Sequence, residues 1–351
     1  MVGRICLVTL VGLALTTTAR ADEGRLLFVR GGNLLSQPAD SAAAAKIVTP
    51  LPDGAAARGL EATQDGKLVV LEMGNAAAWL DGDKWKSAGC TGRARPSPGG
   101  ECLACPATGG SVLVSTTADM SRPLPPPLRE VNFLGRTVDE VVGLTDQGVV
   151  AVKTEHPAVR RLLARPGARS HLLVAPDGGR AVAVFGDGDT SRINSFALDG
   201  AGVPRRLGGP GVPIAWSWDS QWVLIQEGIL PKGETPDEEE PEDEGALLDG
   251  GDAEARFLLA APPRRWRPKN QRKSGPPPEP PAPRTQACAV RAVGGESKCW
   301  GGFEAIGFSP DSTHVLLVKE HALYAGRIAG VRPEPPRKLV ENVDGPAVWV
   351  R

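Results

Sequence analysis

Residues Phe303 to Tyr324 read FEAIGFSPDSTHVLLVKEHALY. An apolar strand, Ala305 to Phe308, runs into Ser309-Pro310-Asp311-Ser312, where Pro presets φ and the Asp side chain turns back onto its own backbone. A second strand, His314 to Val318, follows, and a third begins around Ala322 to Tyr324. Four-stranded units with a turn at this place are the blades of a β-propeller.

The same unit recurs along the chain. With the turn after the first strand as a marker, Gln64-Asp65-Gly66 precedes KLVVLE, Thr108-Gly109-Gly110 precedes SVLVST, and Asp146-Gln147-Gly148 precedes VVAVK. Pro176-Asp177-Gly178 precedes RAVAVF, and Trp218-Asp219-Ser220 precedes QWVLIQ. The intervals between successive markers are 44, 37, 31, 42 and 92 residues. The last exceeds the others by about 50 and contains a stretch, Gly228 to Gln286, unlike any blade; without it the period is about 40, the length of a blade. A seventh copy is split. Asp22 to Arg25 followed by LLFVR is a turn and second strand without a first, and AVWVR, Ala347 to Arg351, is a first strand without a turn. Joining them hides two edges. The expectation is an all-β, seven-bladed propeller of four-stranded blades, closed by the N- and C-terminal strands in one blade. With 43 Gly and 33 Pro in 351 residues, composition suits short strands and tight turns.

Residues 1–21 read as a signal peptide: Arg4, an apolar run from Ile5 to Leu15, and Ala19-Arg20-Ala21 as a small-x-small cleavage site. The mature chain would begin at Asp22 and be periplasmic or secreted, with residues 22–351 as propeller. No later run is long enough for a membrane span. Without Arg4 and Arg20 the formal charge is −3, which gives no basic surplus for nucleic acid. None of the six Asn starts a glycosylation sequon, which suits a bacterial envelope. A monomer is expected.

The Ser-Pro-Asp, Ala-Pro-Asp and Trp-Asp-Ser repeats resemble the TolB-type propeller repeats, which are related to WD-type blades. The resemblance is strong over residues 170–227 and 303–343 and weak over 91–135. TolB-type proteins have six blades and an N-terminal α/β domain, whereas this chain counts to seven blades and has no such domain. The resemblance implies a periplasmic protein–protein scaffold whose partner is another envelope protein.

Five cysteines follow the leader. Cys288 and Cys299 flank RAVGGESK, a hairpin tipped by Gly294-Gly295, so they stand on adjacent strands and are expected to bridge in an oxidising compartment. Cys90, Cys102 and Cys105 lie in the Gly/Pro-rich link between the second and third blades. One disulfide from Cys90 to Cys102 or Cys105 is expected, with one thiol left over. Cys102-Leu-Ala-Cys105 opens a strand, so no helix N-terminus lowers a thiol pKa, and no second pair completes a zinc set.

His156, His171, His314 and His321 are scattered without metal-helix spacing. Phe185 to Ser191 begins like a calcium loop, but position twelve is Leu198 instead of a glutamate, and it reads as a hairpin turn. No Gly-x-Ser-x-Gly is present, and Ser217, Ser220 and Ser309 sit in blade turns without a nearby His. No catalytic residue, cofactor or metal is therefore expected. Trp216, Trp218 and Trp222 alternate along the sixth blade as a packing feature, with ligand stacking as the other reading.

The 228–286 stretch holds eleven carboxylates between Glu234 and Glu254, then seven cations from Arg256 to Lys273, then Pro276 to Pro283. Such blocks bury too little apolar surface to fold alone. A disordered insertion between the second and third strands of the sixth blade is expected. The functional expectation is a non-catalytic exported scaffold. The rival is a propeller enzyme, hydrolase or lyase, with its site at one mouth of the central channel.

Overall fold

A computed structural model of the chain describes residues 24–351 apart from 41–42, 53–54, 119, 125–127, 136, 157–159, 165–167, 187–189, 201–202, 230–283 and 331–333. The leader and the Asp187 to Asp189 turn lie outside the described residues. Strands are the regular structure of the described residues, and they form seven four-stranded antiparallel sheets. Blade 1 joins β28 (Ala347–Val350) to β1 (Arg25–Arg30), β2 (Asn33–Pro38) and β3 (Lys46–Pro50). Blade 2 is β4 (Ala57–Ala62), β5 (Val69–Met73), β6 (Ala76–Asp81) and β7 (Lys84–Ser87). Blade 3 is β8 (Arg95–Pro96), β9 (Cys102–Ala107), β10 (Gly110–Ser115) and β11 (Ser121–Leu124). Blade 4 is β12 (Val131–Phe133), β13 (Glu140–Thr145), β14 (Gly148–Lys153) and β15 (Arg160–Ala164). Blade 5 is β16 (Ala168–Val174), β17 (Arg180–Phe185), β18 (Arg192–Ala197) and β19 (Arg205–Gly208). Blade 6 is β20 (Gly211–Trp216), β21 (Trp222–Ile229), β22 (Arg284–Arg291) and β23 (Ser297–Gly301). Blade 7 is β24 (Glu304–Phe308), β25 (His314–Lys319), β26 (Ala322–Arg327) and β27 (Arg337–Val340).

The first strands touch in a closed cycle, β28 to β4, β8, β12, β16, β20, β24 and back to β28. They form the inner wall of the ring. There is no single core. Seven apolar clusters sit one between each pair of neighbouring blades. Both faces of each blade are therefore buried, which is why second strands read as unbroken apolar runs. In β1, Leu26 and Phe28 pack toward blade 7 while Leu27 packs toward blade 2, the period of two serving both neighbours.

Blade 1 closes the ring. Arg25, Leu26, Leu27 and Phe28 pair with Val350, Trp349, Val348 and Ala347. Gly24 precedes the pairing at φ +74°, and a Cβ there would stand 2.2 Å from the Val350 carbonyl oxygen, so only glycine admits the C-terminal strand this closely.

Two markers sit one strand later than the sequence places them. The turns at Thr108 to Gly110 and Asp146 to Gly148 join second to third strands, β9 to β10 and β13 to β14. The first strands of blades 3 and 4 are only two and three residues long. Neither Arg95-Pro96 nor Val131 to Phe133 has the apolar run that marks other blades. In blade 6, β21 runs to Ile229 and β22 begins at Arg284, so both ends of the 228–286 stretch belong to strands. Residues 230–283 lie outside the described residues.

Cys288 pairs with Cys299 across β22 and β23 and is bonded to it, with Cα atoms 4.1 Å apart. The second disulfide joins Cys90 to Cys105, 5.7 Å between Cα atoms, and Cys102 is free. Alternation decides which cysteine Cys90 takes. Cys105 packs with Cys90 in the cluster between blades 2 and 3, whereas Cys102 packs toward blades 3 and 4. Mapping a non-reduced digest should find peptides linked 90 to 105 and 288 to 299, with Cys102 alone alkylatable. A 90-to-102 linkage would reject the register of β9. Each bridge closes a loop of similar size and should contribute about 3 kcal/mol.

Candidate functional site

The first strands of all seven blades enclose a central channel of about 870 Å³, open at the end where these strands turn outward. That mouth is built from one repeated device. In blade 6 the Ser217 hydroxyl donates to Asp219 Oδ1 (2.6 Å) and accepts from the Trp222 amide (2.9 Å), while Asp219 Oδ1 accepts from the Gln221 amide (3.0 Å). Blade 7 repeats it with Ser309, Asp311, Thr313 and His314, and blade 2 with Thr63, Asp65, Lys67 and Leu68. The hydroxyl-x-carboxylate spacing lets one side chain satisfy the turn amides that no strand partner reaches.

The turns also bond to one another. Ser220, at φ 60°, accepts from the Asp177 amide of blade 5 (3.0 Å), and Ser312, at φ 61°, accepts from the Asp219 amide of blade 6 (3.1 Å). Gln64 Nε2 donates to the Pro310 carbonyl (2.8 Å), and the Arg351 amide donates to the Gln64 carbonyl (2.8 Å). A left-handed serine carries strain, and here its hydroxyl links two blades. Blade 5 has Gly178 at this position because a Cβ would meet the Gly135 backbone at 2.9 Å.

These turns set an acid limit. Burial works to raise the Asp65 carboxyl, but hydrogen bonds from Lys67 and Thr63 hold it at about 2. Asp311 is likewise lowered, burial being outweighed by the Ser309 and Thr313 hydrogen bonds. Both carboxyls titrate near 3.9 when unfolded. The stabilisation from both is therefore present above the unfolded value of about 3.9 and is lost as pH falls below it, for Asp65 through about 2. Thermal midpoints measured down that range should fall, and the D65N and D311N pair should flatten the slope. An unchanged slope would show that these turns do not set the acid limit.

The channel wall is polarised. On blades 5 to 7 it is apolar, with Val174, Ile214 and Ile306, and with Val348 of blade 1 beside them. On blades 2 and 3 it carries charge. Glu61 Oε1 takes Arg95 Nη1 at 2.7 Å and both Nε (2.9 Å) and Nη2 of Arg93. Behind it, Arg93 Nε lies 3.5 Å from Glu72 Oε1. Glu72 stands opposite Gly59 in the ladder, and a Cβ on Gly59 would meet its Oε2 at 2.5 Å. The glycine leaves room for the carboxylate to fold over the inner strand.

The two carboxyls are driven apart. Burial disfavours charge on Glu61, yet Arg93 and Arg95 outweigh it and lower its pKa. Burial, with the neighbouring Glu61 charge, raises Glu72 despite Arg93. Arg93 and Arg95 stand two apart in extended chain, a spacing that puts both side chains on one face. That signal was in the sequence. It is hidden because the third blade's first strand lacks an apolar run.

The structure separates the tryptophans of blade 6. Trp216 is buried between blades 5 and 6, its Nε1 donating to the Leu173 carbonyl (3.2 Å). Trp222 packs toward blade 7, with the Arg291 guanidinium 6.0 Å from its ring centre. Trp218 is half-buried at the channel mouth and belongs to none of the interblade clusters. His156, His171, His314 and His321 stay on three blades, and among the described residues no group of three or more His, Cys, Asp or Glu could hold a metal.

No protein-family model and no curated protein matches the chain. Among solved structures, Kuenenia stuttgartiensis hydrazine synthase is similar at a TM-score of 0.51 and 10% identity, over 79% of this chain and 78% of that one. A putative TolB from Agrobacterium tumefaciens is similar at 0.44 and 12%, over 79% and 88%. TolB from Acinetobacter baumannii follows at 0.44 and 15%, over 57% of each chain. At these identities the likeness is one of fold.

Proposed function

We propose that this chain is an exported, non-catalytic β-propeller of TolB-like kind that binds another envelope protein at the turn-lined mouth. The observation that carries the reading is the bonding of that rim. Its turns are fixed internally by side-chain caps and externally to their neighbours, so docking immobilises little that is not already ordered. The rim offers the Asp177, Asp219 and Asp311 carboxylates and the Trp218 ring, which suits a basic partner. Two disulfides suit an oxidising compartment, and the 1–21 stretch supplies the export signal. The described residues contain no helix long and apolar enough to cross a membrane.

Crosslinking and affinity capture from the native envelope tests this. The D177N/D219N/D311N triple variant keeps the Oδ1 acceptor that each turn amide uses and removes the charge, and it should lose the captured partner and its salt dependence. Equal capture would place the binding surface elsewhere. A parallel variant with 230–283 replaced by a short Gly/Ser loop tests the charged stretch as a recruiting arm. Eleven carboxylates followed by seven cations give a local field able to speed encounter in a salt-sensitive way. Unchanged capture and salt dependence would deny it that role. The loop itself raises closure cost only logarithmically, so the β-rich circular dichroism and thermal midpoint should stay nearly intact.

A hydrolase or lyase with its site at this mouth draws on one observation, the opposed titration of Glu61 and Glu72. Against it, Glu72, the acid-like member, has its Oε1 buried without a hydrogen bond and does not line the channel. A general acid must reach the proton acceptor.

A further inference from the structure

The polar wall of the channel combines both kinds of hydrogen-bonding group at one place. Glu61 concentrates its bonds on Oε1 and leaves Oε2 without a protein partner among the described residues. Arg95 uses only Nη1, leaving Nε and Nη2, and Arg93 leaves Nη1. Neither Glu61 Oε2 nor the remaining Arg95 nitrogens are sealed off as buried unsatisfied groups, and the Arg93 side chain is 44% exposed. Acceptor and donors therefore stand side by side on a wall of the channel.

Charge balance decides what such a wall accepts. Arg93 and Arg95 face Glu61 and Glu72, and Glu130 adds its field at Arg93 while both its oxygens accept from the His171 and Leu172 amides (2.7 and 2.6 Å). A ligand carboxylate placed against Arg95 would meet these acidic groups. A ligand cation would meet two guanidiniums. At about 4 Å and an effective dielectric of about 20, each like-charge contact is of the same size as each attraction, so neither sign gains. A neutral group that both donates and accepts fits instead, and hydroxyls in pairs do this.

Trp218 supplies the second element. Blade 6 stands three blades from blade 3 in the ring of seven, and its half-buried Trp218 lines the same channel as Arg95 and Glu61. A flat apolar face over an indole, with hydroxyls on an Arg/Glu fork, is the recognition pattern of a sugar ring. The volume, about 870 Å³, lies within the range of small-molecule sites.

We propose that the central channel is a carbohydrate-binding site, in which hydroxyls of an uncharged oligosaccharide bond to Arg95 and Glu61 and one ring stacks on Trp218. The proposal does not depend on the protein partner at the rim, and the two fail separately. The full chain is titrated calorimetrically with maltotriose, cellotriose and chitotriose, and with 4-phenylbutyrate and an amidated, acetylated tripeptide as non-sugar probes. At least one trisaccharide should bind in the millimolar range or tighter, W218A should weaken it at least tenfold, and raising salt should leave it nearly unchanged. R95Q should weaken it as well. W218A changes a half-exposed turn residue and keeps the test readable if R95Q fails to fold. No heat from any trisaccharide at about 10 mM overturns the proposal. So does tighter binding of phenylbutyrate or of the tripeptide, or sugar binding indifferent to W218A.

Discussion

Removing Ala347 to Arg351 should give a protein that aggregates or unfolds. Those residues are the inner strand of blade 1, and the deletion strips four ladder pairs from β1. Val350 and Trp349 are buried, at 0% and 4% exposure, and Val348 is only half-buried. Burying one valine contributes about 1.5 to 3 kcal/mol, and losing a buried tryptophan costs about 3 to 5. The total, about 5 to 8 kcal/mol by those figures, is comparable to the whole stability of a typical domain, about 5 to 15. The loss also opens the ring at two places, because Trp349 packs toward blade 7 and Val350 toward blade 2. The Arg351 amide bond to Gln64 goes with it. Far-ultraviolet circular dichroism and a thermal melt read the result. A soluble truncation with an unchanged midpoint would show that blade 1 closes without its terminal strand. The W349A variant grades the effect, since it keeps the ladder and removes only the interblade contact.

The ring was legible because its blades are buried on both faces. Runs such as HVLLVK and RAVAVF can be satisfied only between two neighbours, and the Ser-x-Asp turns fix where each run starts. The split blade was legible for the same reason, since each terminus carried half of a unit. Blades 3 and 4 were read one strand late because their inner strands are too short to show a period, and their Gly-rich second turns mimic the first. That displacement carried a functional cost. Arg93 and Arg95 fell into what reads as a linker, so nothing in the sequence marks their meeting with Glu61 on the channel wall. Glu61 was equally hidden: it sits between Leu60 and Ala62 in a short strand that reads as apolar, and nothing local says that two guanidiniums from the next blade converge on it. The cysteine partner, by contrast, follows from alternation once β9 is in register.

The second large effect falls on that cluster. Glu61→Ala should destabilise the ring markedly, because it leaves Arg93 and Arg95 facing each other without the carboxylate they share. Burial and the Arg93 charge already work to lower the Arg95 pKa, and an arginine does not escape by losing its proton. Removing one member of a buried pair costs about 3 to 5 kcal/mol. The Glu61 side chain keeps 20% exposure, which places the loss toward the lower figure. The loss should be asymmetric. Glu61→Gln keeps an acceptor for the guanidiniums and removes only the charge, so its midpoint should lie between those of the wild type and the alanine variant. Pairing E61L with R95M should recover much of the midpoint, since a buried ion network can often be replaced by well-packed apolar side chains without loss. Chemical denaturation of the wild type and the three variants reads these differences as shifts in midpoint at constant slope. If Glu61→Ala matched the wild type, the guanidiniums would have to be satisfied by channel water, and the charged wall would be a solvated surface instead of a structural element. If the apolar pair were no better than the single variant, the cluster would be holding blades 2 and 3 in register, a role that apolar side chains do not reproduce.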